Sequence, residues 1–367
     1  MLVVHAADLH VDSALRGLAP YDGAPTERVR DATRRATKAL VDACVAERAA
    51  LLLLAGDVFD GQWRDFNTGL FFASELGRLR EVGTRVALVR GNHDAMSQVV
   101  KNLRWSDHVR ELSASAPESV LYDDLGVVVH GMSFAGRSVP DDLAARFPRA
   151  ASGVVNFGLL HTSMDGRPGH DPYAPTSLGV LASKGYDYWA LGHVHEREIL
   201  SEAPWVVYPG NLQGRHARET GPKGATFVTV DAGRVASVEH RVLDVVRWAQ
   251  IAVEASEARS VDEVLDAVSA AIEAALDAAD GRLLSARLGV RAAPDLLPAL
   301  FRDEARFTFE VRKAAIDRHG EDVYVERVSV AAPPGRAAGP GPLAGDATRL
   351  DAAALEGLAK ELEDLRR

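Results

Sequence analysis

Short runs with no polar alternation punctuate the first two thirds of the chain: Leu2 to Val4, Ala50 to Leu54, Val86 to Val89, Val127 to Val129, Val154 to Leu160 and Tyr188 to Leu191. A strand with one wet face alternates apolar and polar residues, so these runs predict strands buried on both sides. Thr26 to Glu47 and Asn67 to Val82 carry the longer period of amphipathic helices. Strands alternating with helices predict an α/β sheet covered on each face. Further strand patterns at Trp205 to Tyr208 and Thr226 to Val230 complete a first domain, residues 1–245.

From Trp248 the pattern changes. Ala249 to Ala255, Arg282 to Val290 and Asp322 to Val330 read as strands. Ser260 to Ala279 reads as a helix with Ser260 as N-cap and Glu263 three residues on, and Pro294 to His319 reads as largely helical. This predicts a small β-α-β-α-β domain over residues 246–330. Residues 331–348, rich in Ala, Pro and Gly, read as a linker. Residues 349–367 read as a helix with Leu355, Leu358, Leu362 and Leu365 along one face, suited to domain packing or to docking on a partner.

Polar residues of one chemical kind stand directly behind five of the apolar runs. They are Asp8-Leu9-His10, Gly56-Asp57-Val58-Phe59-Asp60, Gly91-Asn92-His93-Asp94, His161 and Gly192-His193-Val194-His195. In open α/β sheets, ligands gather at the carboxyl ends of strands, so these loops are expected to converge on one edge. Carboxylates, an amide and imidazoles without a thiolate suit divalent transition metals, Mn²⁺ first, with Fe²⁺ or Zn²⁺ as alternatives. Phosphodiester hydrolysis needs a nucleophile at neutral pH and a sink for phosphate charge. Two metals about 3.5–4 Å apart supply both. One carboxylate must bridge the pair and a neutral donor is useful on one ion; Asp57 and Asn92 suit those parts. An isolated Asp-x-His means little; the full set in this order, ending in Gly-His-x-His, is a strong signal.

With these motifs the sequence resembles the calcineurin-like metallophosphoesterase superfamily, and within it the SbcD/YhaO-type DNA repair exonucleases. The nearer likeness rests on His5 to Ser13, Leu159 to Thr162, Tyr186 to His195 and Pro209 to His216. The resemblance implies a β-sandwich flanked by helices (αββα) with a small α+β capping domain. It implies that Asp8, His10, Asp57 and His195 bind one metal. Asp57 would bridge to a second ion completed by Asn92, His161 and His193. His93 would stand beside the scissile phosphate as general acid or phosphate-positioning group, a role that suits a 3′-oxygen leaving group. Some relatives carry a second active-site histidine where this chain has Asp60, so that histidine's role does not transfer. The resemblance also implies DNA as substrate, an SMC-like coiled-coil ATPase of the SbcC or YhaN kind as partner, and a homodimer.

Other polar residues have plainer readings. Asp60 reads as a cap of the turn behind its strand, and Asp94 as a partner of a histidine rather than a ligand. His5, His130 and His240 read as packed core, and His108 and His319 as surface or helix-end residues. His170 sits in a turn-rich loop that could face the cleft. Gln213, Arg215, His216 and Arg218 bunch after a Pro-Gly turn, either as a polar loop or as substrate contacts. Arg16, Trp63 and Arg64 are weaker DNA-contact candidates, by phosphate pairing or base stacking.

The formal charge of −10, from 42 basic and 52 acidic residues, excludes a protein that coats DNA by bulk charge. It leaves room for a nucleic-acid enzyme. Residues 1–245 carry 30 acids and 26 bases, a deficit that two divalent ions would cancel. One cysteine, Cys44, excludes a disulfide scaffold. There is no basic leader and no apolar run of about 18 residues, so no membrane span and a cytoplasmic location are expected. The expected activity is metal-dependent DNA exonuclease, by attack of a metal-activated hydroxide. The alternative is a general phosphodiesterase or phosphatase on small molecules. A non-catalytic scaffold predicts missing ligands, and no motif position is missing.

Overall fold

The computed structural model describes residues 1–13, 20–60, 66–97, 103–164 and 173–332. Among these, the strands form two six-stranded sheets and one three-stranded sheet. In the first, β1 (Leu2–Ala6), β2 (Leu51–Ala55), β3 (Arg85–Val89) and β4 (Val109–Glu111) run parallel. Beside β1 lie the antiparallel strands β11 (Gly224–Asp231) and β12 (Arg234–Val242). The second sheet has a parallel centre of β6 (Val127–Met132), β7 (Val155–His161), β8 (Tyr188–Gly192) and β10 (Trp205–Tyr208). Its antiparallel edges are β5 (Glu118–Tyr122) and β9 (Glu198–Glu202).

The layers explain why the runs lack polar alternation. Val3, Leu51, Leu53 and Val89 meet Val129, Phe157, Leu159 and Tyr188 in the space between the sheets. The next residues along, Val4, Leu52, Leu54 and Leu88, face outward onto α2 (Ala32–Ala46) and α3 (Phe66–Glu81), where Leu40, Cys44, Phe72 and Leu76 cover them. On the far side Leu160, Trp189 and Leu191 are covered by Phe134, Phe147, Leu181 and Tyr186. Each such side chain stabilises the fold by about 1.5–3 kcal/mol when fully buried, and both faces of each run contribute. The architecture is the expected helix-flanked sandwich.

The strands that the apolar pattern missed are β4, β5, β9 and β12. All four are sheet edges with charged or half-exposed residues along them, as edges that resist aggregation require. One expected helix is two: α1 (Thr26–Arg30) and α2 meet at Asp31, whose backbone leaves the helical region. The break lets Val29 and Ala32 pack toward the second domain while Ala36, Leu40 and Cys44 pack on the first sheet.

The three-stranded sheet is parallel, ordered β13 (Val246–Ala255), β14 (Leu283–Ala292), β15 (Val323–Ala331). Between the short α4 (Leu178–Ser183) and β15 the chain also forms α5 (Val261–Ala278), α6 (Leu297–Arg302) and α7 (Glu304–His319). The last three cover one face of this sheet through Val264, Val268, Leu300, Phe307 and Val311. The helical stretch expected from Pro294 is divided at Asp303, whose non-helical backbone and side-chain bond to the Arg306 amide start a new helix. The other face leans on the first domain through Trp248, Leu283 and Tyr324 against Val29, Ala32 and Ala217. β15 takes Ala331 from the stretch expected as linker, and residues 333–367, with the Leu-faced segment, lie outside the described residues. Among the described residues, no helix is long and apolar enough to cross a membrane.

Candidate dinuclear metal centre

The carboxyl ends of β1, β2, β3, β7 and β8 point to the same edge of the sandwich, and all five motifs meet there. Asp8, His10 and His195 place donor atoms within 4.8 Å of one another, as do Asp8, Asp57 and His161. The loops that carry them are strained. Asp8, His10, Asp57 and His193 have φ of 52°, 43°, 52° and 105°, a region that costs a non-glycine residue about 1–3 kcal/mol. Backbone bonds hold the first three in place: Asp8 N–H to Gly56 O, His10 N–H to Asp57 O and Val11 N–H to Val58 O. Two motif glycines are there for space. A Cβ on Gly91 would fall 2.2 Å from Asp57 Oδ1, and one on Gly192 would fall 1.9 Å from Ala55 O.

Each carboxylate spends one oxygen on a neighbouring motif and keeps the other for the cluster. Asp8 Oδ2 accepts from the His193 amide at 2.9 Å, and Asp57 Oδ1 from the His93 amide at 2.9 Å. Asp8 Oδ1 and both ring nitrogens of His10 are buried without a hydrogen bond. His10 Nε2 stands 4.0 Å from Asp8 Oδ1 and 4.0 Å from Asp57 Oδ2. The Ala55 carbonyl can only accept, so its 2.9 Å contact puts the His161 proton on Nδ1. His161 Nε2 then presents a lone pair 3.0 Å from the oxygen of Asn92 and 3.5 Å from Asp57 Oδ2. Acceptors converging in a buried space, with nothing between them to share, suit a cation.

Electrostatics agrees. Burial, reinforced by the charge of Asp57, pushes the Asp8 carboxyl well above the usual range. Burial holds His10 and His161 below the ordinary imidazole value, hence neutral and able to donate a lone pair. A divalent ion would relieve the carboxylates and use the imidazoles as they are. The residues present therefore fit a dinuclear centre. His193 lies against it, its ring centroid 5.2 Å from that of His161.

His93 is the more open histidine, with 37% of its side chain exposed. Its Nδ1 stands 2.8 Å from Asp60 Oδ1, and Ser13 Oγ donates to Asp60 Oδ2 at 2.6 Å. Asp60 is therefore a histidine partner, correcting its reading as a turn cap. Asp94 is corrected the other way: it accepts from the backbone amides of Val58, Phe59 and Gly91, tying the second and third motif loops together. Burial alone would lower the His93 pKa, but the bond it donates to Asp60 and the charge of Asp57 outweigh it and raise it. Burial alone would raise Asp60, and the bonds from His93 and Ser13 bring it down to about 2.

The segment behind the Pro-Gly turn divides. Arg215 enters the site, its Nη1 3.9 Å from Asp60 Oδ2 and 3.4 Å from Ser13 Oγ. His216 is half-buried with Nε2 3.5 Å from Glu219 Oε1, and Arg218 lines the open cleft. Gln213 is not a substrate contact. It is buried, and its amide is spent on the backbone of Gly214, Val245 and Val246 at the domain junction. His5 and His130 are core residues, bonded to Tyr188 and Leu191 and to Ser119 and Asn156. Arg16, Trp63, Arg64 and His170 lie outside the described residues.

Sequence reasoning overlooked Glu219, Lys223, Arg137 and Tyr173. All four line a cleft of about 430 Å³ with Asp57, Asn92, His93, His193 and His195. Lys223, buried, donates to the His195 carbonyl at 3.0 Å and to Glu196 at 3.2 Å. None of the four belongs to a motif. In Glu219, four residues after Arg215, the only signal was a lone acid among basic residues.

This sandwich and its edge cluster of carboxylate, imidazole and amide groups define a metallophosphoesterase, a hydrolase of phosphate esters. The chain belongs to the calcineurin-like phosphoesterase family, which matches residues 1–197; the middle domain of metallophosphoesterase YhaO matches residues 248–332. The family uses a dinuclear divalent metal site. The uncharacterized metallophosphoesterase YhaO of Bacillus subtilis (strain 168) is 36% identical over 269 residues, 72% of this chain and 66% of that protein. The DNA double-strand break repair protein Mre11 of Methanopyrus kandleri is 26% identical over 280 residues, 68% of this chain and 58% of that protein. The chain thus spans less than two thirds of the length of either relative. A solved dimetal phosphatase from Danio rerio is similar at 12% identity and a TM-score of 0.39, over 66% of this chain and 99% of that one.

Proposed function

We propose that the chain is a DNA exonuclease dependent on two divalent ions, Mn²⁺ foremost. The observation that carries the reading is the cleft beside His93, whose lining includes Arg137, Arg218 and Tyr173. Cations beside a phosphodiester and an aromatic ring beside a base are the groups a nucleic-acid strand requires. The similarity to Mre11 supports the same reading.

Asp8, His10, Asp57 and His195 would hold one ion, and Asp57, Asn92, His161 and His193 the other. Such ions, when bound, acidify water and absorb charge on the phosphoryl oxygens. The chain supplies the rest. His93, which lines the cleft and whose pKa its bond to Asp60 helps to raise, would give its Nε2 proton to the departing 3′-oxygen. Ser13 fixes the second oxygen of Asp60, so the pair stays aligned. Arg215 adds positive charge beside Asp60 at the edge of the site, suited to a phosphate oxygen.

The test compares a chromogenic phosphodiester with radiolabelled duplex and single-stranded DNA in Mn²⁺. Release of mononucleotides from a DNA end is expected. Strong turnover of the small ester with none on either DNA would instead make this a small-molecule phosphodiesterase. The reading includes an SMC-like ATPase partner and a homodimer. Co-purification with such an ATPase, and sedimentation at twice the chain mass, are the expected results.

A further inference from the structure

His195 is the site histidine whose orientation comes from outside the motifs. Its Nδ1 lies 2.7 Å from Glu219 Oε1. Glu219 is itself held: its Oε2 accepts from the Arg215 amide at 2.7 Å and from Asn211 Nδ2 at 3.0 Å. A carboxylate bonded at both oxygens cannot swing away. Because it only accepts, the His195 proton is on Nδ1, and the lone pair is on Nε2, 3.7 Å from Asp8 Oδ1. Arg215 Nη2 is 3.4 Å from the same Nδ1, but a donor cannot bond a protonated nitrogen, so the contact with Glu219 sets the ring.

The loop that carries Glu219 is gripped by the second domain. Trp248 Nε1 donates to Gly214 O at 2.8 Å, and Gln250 Nε2 to Ala217 O at 2.8 Å. Gln213 Oε1 accepts from Val245 and Val246, while its Nε2 donates to Val246 O at 2.7 Å. A Cβ on Gly214 would fall 2.6 Å from the Glu219 carbonyl and 3.0 Å from Trp248 Cδ1, so loop backbone and indole are in direct contact. Glu219 also lies 3.6 Å from Arg215 Nη2. A mere ion pair with Arg215 is the rival account.

We propose that Glu219 is a positioning residue that selects the tautomer and orientation of His195 at the metal centre, and that β13 sets Glu219 in place through Trp248 and Gln250. The proposal rests on the reading of His195 as a ligand. It makes the second domain part of the metal site without giving that site a ligand.

The test titrates Mn²⁺ calorimetrically into the metal-free full chain and records ¹⁵N-histidine spectra of the same samples. His195→Ala should abolish or strongly weaken one of two binding steps. Glu219→Ala should weaken that same step about 10- to 100-fold, leave the other step unchanged and shift His195 away from the Nδ1–H tautomer. Glu219→Gln, which keeps the shape and an oxygen for Nδ1–H, should weaken it less and serves if the alanine variant does not fold. Trp248→Phe, which removes only the indole N–H, should weaken the same step several-fold. Wild-type binding and tautomer in both Glu219 variants would overturn the positioning role. An unchanged Trp248→Phe beside a weakened Glu219→Ala would overturn the second domain's part. If His195→Ala binds Mn²⁺ like wild type, His195 is no ligand and the reading beneath the proposal fails instead.

Discussion

At the residue scale, the Asp60–His93 pair carries the clearest consequence. The folded pKa of His93 is raised, so the proton proposed for the leaving oxygen is lost only as pH rises through that raised value. Asp60→Asn removes the bond that raises it. The alkaline limb of the kcat/KM profile in saturating Mn²⁺ should therefore move to lower pH; an unmoved limb would separate Asp60 from the chemistry. The pair also contributes stability, in a defined window. The share of Asp60, whose folded pKa is depressed to about 2, is present above the ordinary carboxylate range and is lost as pH falls toward 2. The share of His93 is full below the ordinary imidazole value and is lost above its raised one. A second expectation concerns the centre itself: Asp57→Ala and His193→Ala should each reduce Mn²⁺-dependent hydrolysis to the metal-free background in a phosphodiester assay. These two residues were legible as motif members. The partners of His93 and His195 were not, because 33 and 24 positions of sequence separate Asp60 and Glu219 from them, and no local pattern encodes such a meeting.

At the scale of elements, periodicity located the buried strands well and located helix ends and polar edges poorly. Leu51 to Leu54 could only be a strand between two apolar layers. The breaks at Asp31 and Asp303 were invisible, since the apolar period continues through both; around Asp31 the faces turn toward different cores, and around Asp303 they stay on one. The cap at α5 was legible, and its box closes differently. Ser260 Oγ accepts from the Glu263 amide, but the Glu263 carboxylate accepts from Arg259 N–H rather than from Ser260. Ser260→Ala should cost about 1 kcal/mol in urea unfolding, without effect on Mn²⁺ binding.

For the whole molecule, metal and domain junction should both be visible in stability. An ion that binds the native cluster and not the unfolded chain adds about 2.7 kcal/mol at a hundred times its dissociation constant. Thermal melts should therefore rise with Mn²⁺ and fall back on chelation. Trp248 is fully buried between the domains, and Trp248→Ala should cost about 3–5 kcal/mol, measured by denaturant unfolding. By itself, the sequence determined that the central strands are buried on both faces, their order along the chain and the set of candidate metal-binding side chains. Each of these is written in local apolar runs and in the residues that directly follow them. Tertiary structure alone decided which side chains contact those residues. Asp60 reaches His93, Glu219 reaches His195 and β13 reaches the Glu219 loop because strand ends and domains converge in space, and convergence leaves no periodicity along the chain.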